Sequence, residues 1–233
     1  MPKIPMIEDL TTDPVPGGSM LLVEFDPASQ WINASLTIAA GWLKQGGKVS
    51  YNLFTQTPDD IRSKLSRLGV SVESLEKEDK LRIQDWYTAT LGLKSSEKYS
   101  QESLKAADLN IVFSRQVMRE PPDPNWLRIA DNISTFARFN DERSWVEYLL
   151  TRNFPAQKLR KSTNLAGLIR GFHSDSVYKQ LEAAADGIID FKLEEVAEET
   201  RTMIRIRSMR DAHFDSHWHQ VKIGDNFEVT LDK

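Results

Sequence analysis

The histidines and carboxylates with potential metal chemistry are concentrated near the C-terminus. Asp211, His213, Asp215, His217 and His219 alternate along this stretch, so an extended strand would place all five on one face. Carboxylate and imidazole groups together can bind a divalent metal ion. The alternative is a turn between two strands, in which Asp and Ser serve turn chemistry. Because the spacing matches no established zinc pattern, we expect a turn and no metal site.

Other reactive groups show no catalytic arrangement. The sequence has no cysteine, which excludes disulfides, thiolate metal sites and thiol catalysis. No Ser/His/Asp or paired-carboxylate arrangement can be assembled from local spacing. Six arginines are dispersed through several predicted elements and lack the aromatic–basic pattern of an RNA-binding sheet: Arg115, Arg119, Arg128, Arg138, Arg143 and Arg152.

Composition and charge restrict the class of protein. The 233 residues are 40% hydrophobic and 27% charged, which is typical of a folded globular chain. The formal net charge is -4, without the basic excess of a duplex-binding domain. No apolar run approaches the roughly 20 residues that cross a bilayer, and the N-terminus does not resemble a signal peptide. We expect a cytoplasmic protein with no membrane or nucleic-acid partner.

Strand-like and helix-like segments alternate through most of the chain, which indicates a parallel sheet with helices on both faces. Continuous apolar runs predict strands over residues 19–25, 48–54, 81–86, 127–130 and 165–170. Apolar residues at three- and four-residue intervals, with start and stop signals, predict helices over residues 31–45, 57–69, 72–80, 144–152 and 176–185.

Two segments are less regular. Residues 92–101 are polar and predict a mobile loop. The run Ile111-Val112-Phe113 is compatible with a strand, but Leu109 and Val117 share a helical face with it, so we predict a helix over residues 108–120. The prolines at 121, 122 and 124 end that helix.

The C-terminal part has a different order of predicted elements, with successive strands and no helices between them. Residues 188–196, 202–209, 218–223 and 227–231 predict strands joined by short turns, and therefore antiparallel pairing. We predict one α/β domain over residues 1–233, with an N-terminal segment over 1–18 and an antiparallel C-terminal extension over 187–233. Its sheet would be twisted and mainly parallel, with helices on both faces and a C-terminal antiparallel hairpin.

Four short segments, taken in order and spacing, resemble one known family. They are GGSMLLVE at 17–24, GWLKQGGKVSY at 41–51, AADGIID at 184–190 and IRSMR at 206–210, the last followed by Trp218-His219. The likeness extends over most of the chain and is to the KaiC-like branch of the RecA superfamily, which is common in archaeal genomes. It implies a RecA-like fold of the P-loop NTPase type, and by analogy a protein that forms oligomers.

The phosphate-binding loop of that family is where the resemblance fails. Such a loop reads G-x-x-x-x-G-K-[ST]: glycines let backbone N–H groups face the phosphates, lysine offsets their charge and the hydroxyl holds Mg²⁺. In the aligned stretch, Phe25 and Gln30 take the two glycine positions, Trp31 the lysine position and Ile32 the hydroxyl position. Trp31 also puts a bulky ring where phosphate would sit. We predict a degenerate Walker A loop, a pseudo-ATPase and no cofactor.

A second departure concerns the attacking water. In the family the second strand usually ends in two acidic residues that orient it, whereas this chain has Thr55 and Gln56. Asp131 resembles the residue that ends the Walker B strand, and we interpret it as vestigial or structural because the rest of the motif is absent.

Four arginines lie on or beside one predicted strand: Arg201, Arg205, Arg207 and Arg210. In the family, the matching strand and turn reach across a subunit interface toward the neighbour's nucleotide. The resemblance therefore implies that Arg207 and Arg210 contact a partner subunit. The alternative is a solvated edge whose cations discourage edge-to-edge pairing.

Three functions remain open from the sequence. The first is a non-catalytic regulatory or scaffold subunit, assembled as a homo-oligomer or as a hetero-oligomer with an active paralog. The second is a nucleotide- or small-molecule-binding module with an altered pocket at the carboxyl ends of the strands. The residues that would line this pocket are Ser29, Gln30, Trp31, Thr55, Gln56 and Asp131. The third is a recombinase paralog related to DNA repair.

Overall fold

The first apolar run forms a strand at the middle of a ten-stranded sheet, whose order is β10-β9-β8-β7-β1-β6-β5-β2-β3-β4. The computed structural model describes residues 1–116 and 120–232. The strands are β1 (Met20–Phe25), β2 (Lys48–Leu53), β3 (Leu81–Asp85), β4 (Tyr99–Ser100), β5 (Trp126–Ala130), β6 (Thr163–Ile169), β7 (Gly187–Val196), β8 (Glu199–Met209), β9 (His219–Ile223) and β10 (Val229–Leu231).

The sheet is parallel on one side of β7 and antiparallel on the other. From β7 through β1, β6, β5, β2 and β3 to β4, every neighbouring pair is parallel. β8, β9 and β10 then continue the sheet in antiparallel fashion. The predicted α/β class with an antiparallel C-terminal part is confirmed. One detail was wrong, because β7 begins the predicted extension at Gly187 and yet pairs in parallel with β1.

Helices lie on both faces of this sheet. They are α1 (Trp31–Lys44), α2 (Pro58–Arg67), α3 (Val72–Lys77), α4 (Tyr87–Thr90), α5 (Ala106–Gln116), α6 (Glu142–Tyr148), α7 (Phe154–Leu159) and α8 (Asp175–Ala184). Local chemistry sets their ends: the Thr57 hydroxyl caps α2 in a reciprocal capping box with Asp60, and Pro58 occupies the first turn. No helix in the described ranges is long and apolar enough to cross a membrane.

Each face of the sheet has its own hydrophobic cluster. One contains the buried side of α1, including Trp31 and Trp42, together with Ile4 and Ile7 from the N-terminal segment. The other includes residues from α5 to α8, such as Trp145. The carboxyl ends of β1, β2, β5 and β6 meet at one edge between these clusters, which is where ligands bind in open α/β sheets.

Three predicted segments differ from the structure. The predicted loop over residues 92–101 includes β4, because Tyr99 pairs with Gln84 of β3. The predicted helix over 108–120 is α5, which begins earlier at Ala106, while residues 117–119 lie outside the described ranges. The predicted helix over 144–152 is extended by a π-helical turn over 149–153 into α7, where Pro155 is tolerated in the first turn.

Candidate functional site

The turn between β1 and α1 is held by bonds to β7. The N–H of Asp26 donates to the Phe191 carbonyl at 3.1 Å, and the Asp26 carboxylate accepts the N–H of Leu193 at 2.9 Å. Within the turn, the Ser29 N–H donates to the Asp26 carbonyl at 2.8 Å. Residues 26–30 include no glycine, and the helix begins directly at Trp31. The turn is therefore an ordinary connection from a strand to a helix, and its hydrogen bonds attach it to the neighbouring strand β7.

Trp31 is buried completely at the start of α1. Its indole N–H donates to the backbone carbonyl of Asp131 at 2.7 Å. Its ring packs beside Phe25 and Phe191, with centroids 6.3 Å and 5.7 Å away. A Cβ at Gly167 of β6 would lie 2.4 Å from both the Trp31 indole nitrogen and the Asp131 oxygen. The indole thus fills the space between β1, β6 and the end of β5.

Asp131 joins the ends of β5 and β2. Its carboxylate accepts the N–H of Phe54 at 3.0 Å and the hydroxyl of Thr55 at 2.9 Å. The side chain is fully buried, and this burial raises the pKa of Asp131 to about 7, although the hydrogen bonds act in the opposite direction. Its oxygens are engaged inside the protein, so the carboxylate fastens two strand ends together.

The other predicted pocket residues do not converge. Gln56 accepts a hydrogen bond from the Lys64 ammonium on α2. The side-chain oxygen of Gln30 accepts one from Asn33 at 2.9 Å. The Ser29 hydroxyl is buried and has no hydrogen-bond partner in the described part of the chain. The structure therefore brings Trp31, Thr55 and Asp131 into one bonded cluster and leaves Ser29, Gln30 and Gln56 with separate local surroundings.

Arg207 of β8 lies in an ion-pair network with residues of β1, β7 and α8. It contacts Glu24 at 2.7 Å, Glu182 at 2.7 Å and Asp190 at 3.0 Å. Asp190 also accepts bonds from Arg170 at 2.9 Å and Arg205 at 2.8 Å. Such a buried carboxylate needs these cations to offset its desolvation.

Sequence reasoning missed the acidic half of this network. Glu24 and Asp190 are nearly buried, and burial raises the pKa of Glu24 to about 7, with Glu182 adding to the effect. The signal was present: each carboxylate interrupts an otherwise apolar strand, MLLVEF or GIIDF. A charged side chain in a buried strand is costly unless a partner of opposite charge lies beside it.

Arg201 and Arg210 are more exposed than Arg207. Arg210 donates to the Ala183 carbonyl at 2.8 Å and lies 3.8 Å from Asp186, with 53% of its side chain exposed. Arg201 pairs with Glu199 at 2.9 Å. Of the two arginines predicted to face a partner subunit, Arg210 is the more accessible one, while Arg207 is tied to its own chain.

The histidine-rich stretch forms a turn, as expected. His213 contacts Asp13 of the N-terminal segment at 2.7 Å. His217 and His219 both contact Asp215, at 2.6 Å and 3.0 Å. His213 therefore has a separate partner, whereas Asp215 is the shared partner of His217 and His219. Within residues 1–116 and 120–232, no group of His and acidic side chains could hold a metal ion.

The chain is similar in fold to solved archaeal structures. A comparison with curated proteins gave no match. The KaiC-like protein PH0186 from the archaeon Pyrococcus horikoshii OT3 is 20% identical, with a TM-score of 0.69 over 99% of this chain and 96% of that one. The flagellar accessory protein FlaH from Methanocaldococcus jannaschii is 13% identical, with a TM-score of 0.73 over 97% and 94%.

These likenesses show a shared fold and nothing further, because both sequence identities are low. The family evidence comes from the sequence itself. The family model described as "ATPase: KaiC" matches residues 32–231, which is most of the chain and begins at the second residue of α1. The chain belongs to the KaiC ATPase family.

Proposed function

We propose that this KaiC-family protein does not hydrolyse ATP and acts as a regulatory or scaffold subunit through protein–protein assembly in the cytoplasm. The observation that carries the proposal is the position of Trp31. Its ring is buried between β1, β6 and β7, and its N–H is used by the Asp131 carbonyl. The residue at the lysine position of the family's loop is thus part of the core.

The turn does not fit a nucleoside triphosphate. A phosphate site needs converging N–H groups, a cation and a hydroxyl for Mg²⁺. Here the turn lacks glycine, a tryptophan stands in place of the lysine, and Ile32 stands in place of the hydroxyl. The Asp131 carboxylate, which would serve the Mg²⁺ ion, is bonded to Phe54 and Thr55. We therefore derive no hydrolytic step for this chain.

The site also lacks a base for the attacking water. The positions after β2 hold Thr55 and Gln56, neither of which ionises as a carboxylate. The Thr55 hydroxyl donates a hydrogen bond to the Asp131 carboxylate, and the Gln56 side-chain oxygen accepts one from the Lys64 ammonium. The polar side chains at this edge of the sheet are engaged in hydrogen bonds within the protein, which supports a non-catalytic role.

Assembly follows from family membership and from two exposed groups, one at each end of the parallel strands. Arg210 is half exposed, and Phe172, in the segment after β6, is 50% exposed although it is a large apolar side chain. Each of these residues would lie at a separate contact with a second copy or with an active paralog. Charge reversal in Arg210→Glu should then weaken assembly.

Isothermal titration with ATP and ADP, with and without Mg²⁺, tests the absence of nucleotide binding. We expect no heat of binding, with a KaiC-family protein that has an intact phosphate loop as the positive control. ATP turnover that is lost in Asp131→Ala would refute the non-catalytic proposal, because it would require Asp131 to serve a bound nucleotide. Light scattering after size-exclusion chromatography, on the native chain and on Arg210→Glu, tests the assembly part separately.

A further inference from the structure

One face of the parallel sheet carries two rows of side chains that are largely polar. Side chains alternate along a strand, so residues in register on neighbouring strands share a face. The alternate residues Val49, Tyr51 and Ile83 belong to the first hydrophobic cluster. On the opposite face the registers give the rows Arg82–Ser50–Arg128–Asn164 and Gln84–Asn52–Ala130–Ala166. A parallel sheet covered by helices is usually apolar on both faces, so these rows need an explanation.

A cavity of about 490 Å³ lies against these rows, which is within the size range of small-molecule sites. Part of its wall is apolar and aromatic: Phe54, Trp86, Leu109, Phe136 and Leu149. Another part is polar or cationic: Arg82, Gln84, Arg128, Arg160 and Asn164. Its lining includes none of the residues predicted for the altered pocket near Trp31.

Three arginines surround one carboxylate at the cationic part. Glu120 contacts Arg82 at 2.6 Å, Arg128 at 2.9 Å and Arg160 at 3.4 Å. The arginine side chains are only 15%, 10% and 7% exposed. Asp79 provides a second carboxylate, 2.6 Å from Arg82. Arg128 and Arg160 therefore share Glu120 with a third cation.

In the part of the chain that the structure describes, ion pairs at this wall of the cavity join three buried arginines to two carboxylates, Glu120 and Asp79. Burial lowers the pKa of Arg128, and burial together with the charge of Arg128 lowers the pKa of Arg160 to about 10. Because burial is the leading cause of both shifts, an anion bound in the cavity next to these guanidinium groups would offset part of the cost of their desolvation. Guanidinium groups present planar donor pairs that match carboxylates and phosphates.

We propose that this cavity binds a small organic anion whose carboxylate or phosphate group lies against Arg128 and Arg160. The apolar or aromatic body of the ligand packs against Phe54 and Trp86, whose rings stack with centroids 5.3 Å apart. The Trp86 N–H is already bonded to Asn52 at 3.1 Å, so the ring presents an apolar surface there. The cavity shares no residue with the β1–α1 turn, and this inference holds whether or not the proposed function does.

Calorimetric titration with three matched probes tests the site. 1-Naphthyl phosphate and 1-naphthoate carry the proposed anionic groups, and neutral 1-naphthol lacks them. We expect at least one anion to bind with one site per chain and 1-naphthol to bind about tenfold more weakly or worse, because bonds to charged groups are the stronger ones. Tighter binding of the phosphate identifies a phosphate ester as the natural ligand class, and tighter binding of the naphthoate identifies a carboxylate.

Two variants locate the binding in this cavity. Ala130→Leu fills part of the floor, and Arg160→Met removes a charge while it keeps the aliphatic stem. Both should weaken binding of the anion about tenfold or more. Ala107→Leu and Lys179→Met make the same kinds of change at exposed positions and should leave binding unchanged. Circular dichroism and thermal unfolding check that each variant is folded.

The proposal is overturned if neither anion binds at about 1 mM, a weak-affinity limit. It is also overturned if 1-naphthol binds as tightly as the anions, or if Ala130→Leu and Arg160→Met both fold and both bind normally. If one variant fails to fold, the other decides; if both fail, the comparison of anionic and neutral probes on the native chain decides.

Discussion

Truncation of Trp31 should destabilise the protein far more than truncation of a residue that faces an open ligand cleft. The indole is completely buried, packs against Phe25 and Phe191, and donates to the Asp131 carbonyl. Tryptophan-to-alanine changes in cores cost about 3 to 5 kcal/mol. A buried carbonyl left without its donor costs about 1 to 3 kcal/mol. Because the two effects overlap, we expect Trp31→Ala to lower the unfolding free energy by about 3 to 5 kcal/mol.

Two further variants separate the parts of this loss. Trp31→Phe keeps much of the ring contact and removes the N–H donor, so it should cost about 1 to 3 kcal/mol. Trp218→Ala is the matched control, because Trp218 is partly exposed and lies under Lys192 and Arg205, 4.4 Å and 4.5 Å from its ring. Loss of such exposed cation–π contacts costs roughly 0.5 to 1 kcal/mol each.

The assay is denaturant unfolding followed by circular dichroism, in parallel with ATP titration of each variant. The midpoint should shift without a change in slope if only stability changes. The reasoning is refuted if Trp31→Ala is as stable as Trp218→Ala. It is equally refuted if Trp31→Ala keeps native stability and gains Mg²⁺-dependent ATP affinity, since the ring would then lie over an open phosphate cleft rather than in the core.

Two other predictions concern two charged residues, Asp131 and Arg207. The pKa of Asp131 is raised to about 7 in the folded chain, against about 3.9 when unfolded. Folding therefore favours its protonated form, and the resulting stabilisation is present below about pH 4 and is lost as the pH rises through 7. The stability of the native chain relative to Asp131→Asn should fall by up to about 1.4 kcal/mol per pH unit over that window; a difference that is constant with pH would contradict this assignment. Arg207→Met should lower the unfolding free energy by roughly 2 kcal/mol or more, because Glu24 and Asp190 lose a cation. The control is Arg201→Met, which removes an exposed ion pair and should cost about 1 kcal/mol or less. If Arg207→Met instead changes only the oligomeric state, Arg207 serves an interface.

The alternation of strands and helices could be predicted because burial leaves a periodic trace in the sequence. The runs at 19–25 and 48–54 became β1 and β2, and the stripe from Trp31 to Trp42 became the buried side of α1. β4 left no such trace: only Tyr99 and Ser100 pair with β3, and that pairing depends on a neighbouring strand rather than on local pattern.

The candidate sites were only partly predictable, for the same reason. The absence of a phosphate-binding pattern is visible residue by residue, so Trp31 could be named in advance. Of the three arginines at the cavity, only Arg128 was among the six interpreted as dispersed, and Arg82 and Arg160, far from it in sequence, were not singled out. Only the parallel register brings Arg82 and Arg128 to either side of Ser50, and sequence spacing does not specify register between distant strands.

Trp31, Asp131 and Gly167 depend on one another, which bears on whether this chain can hold a phosphate group. The indole nitrogen needs the Asp131 carbonyl, and both leave no room for a Cβ at Gly167. A lysine at position 31 would therefore leave that carbonyl without its donor and place a cation beside Phe25 and Phe191, at a cost of several kcal/mol. A working phosphate loop would need coordinated changes in the turn and at the ends of β5 and β6. A single substitution at position 31 should consequently destabilise the protein before it creates any affinity for nucleotide.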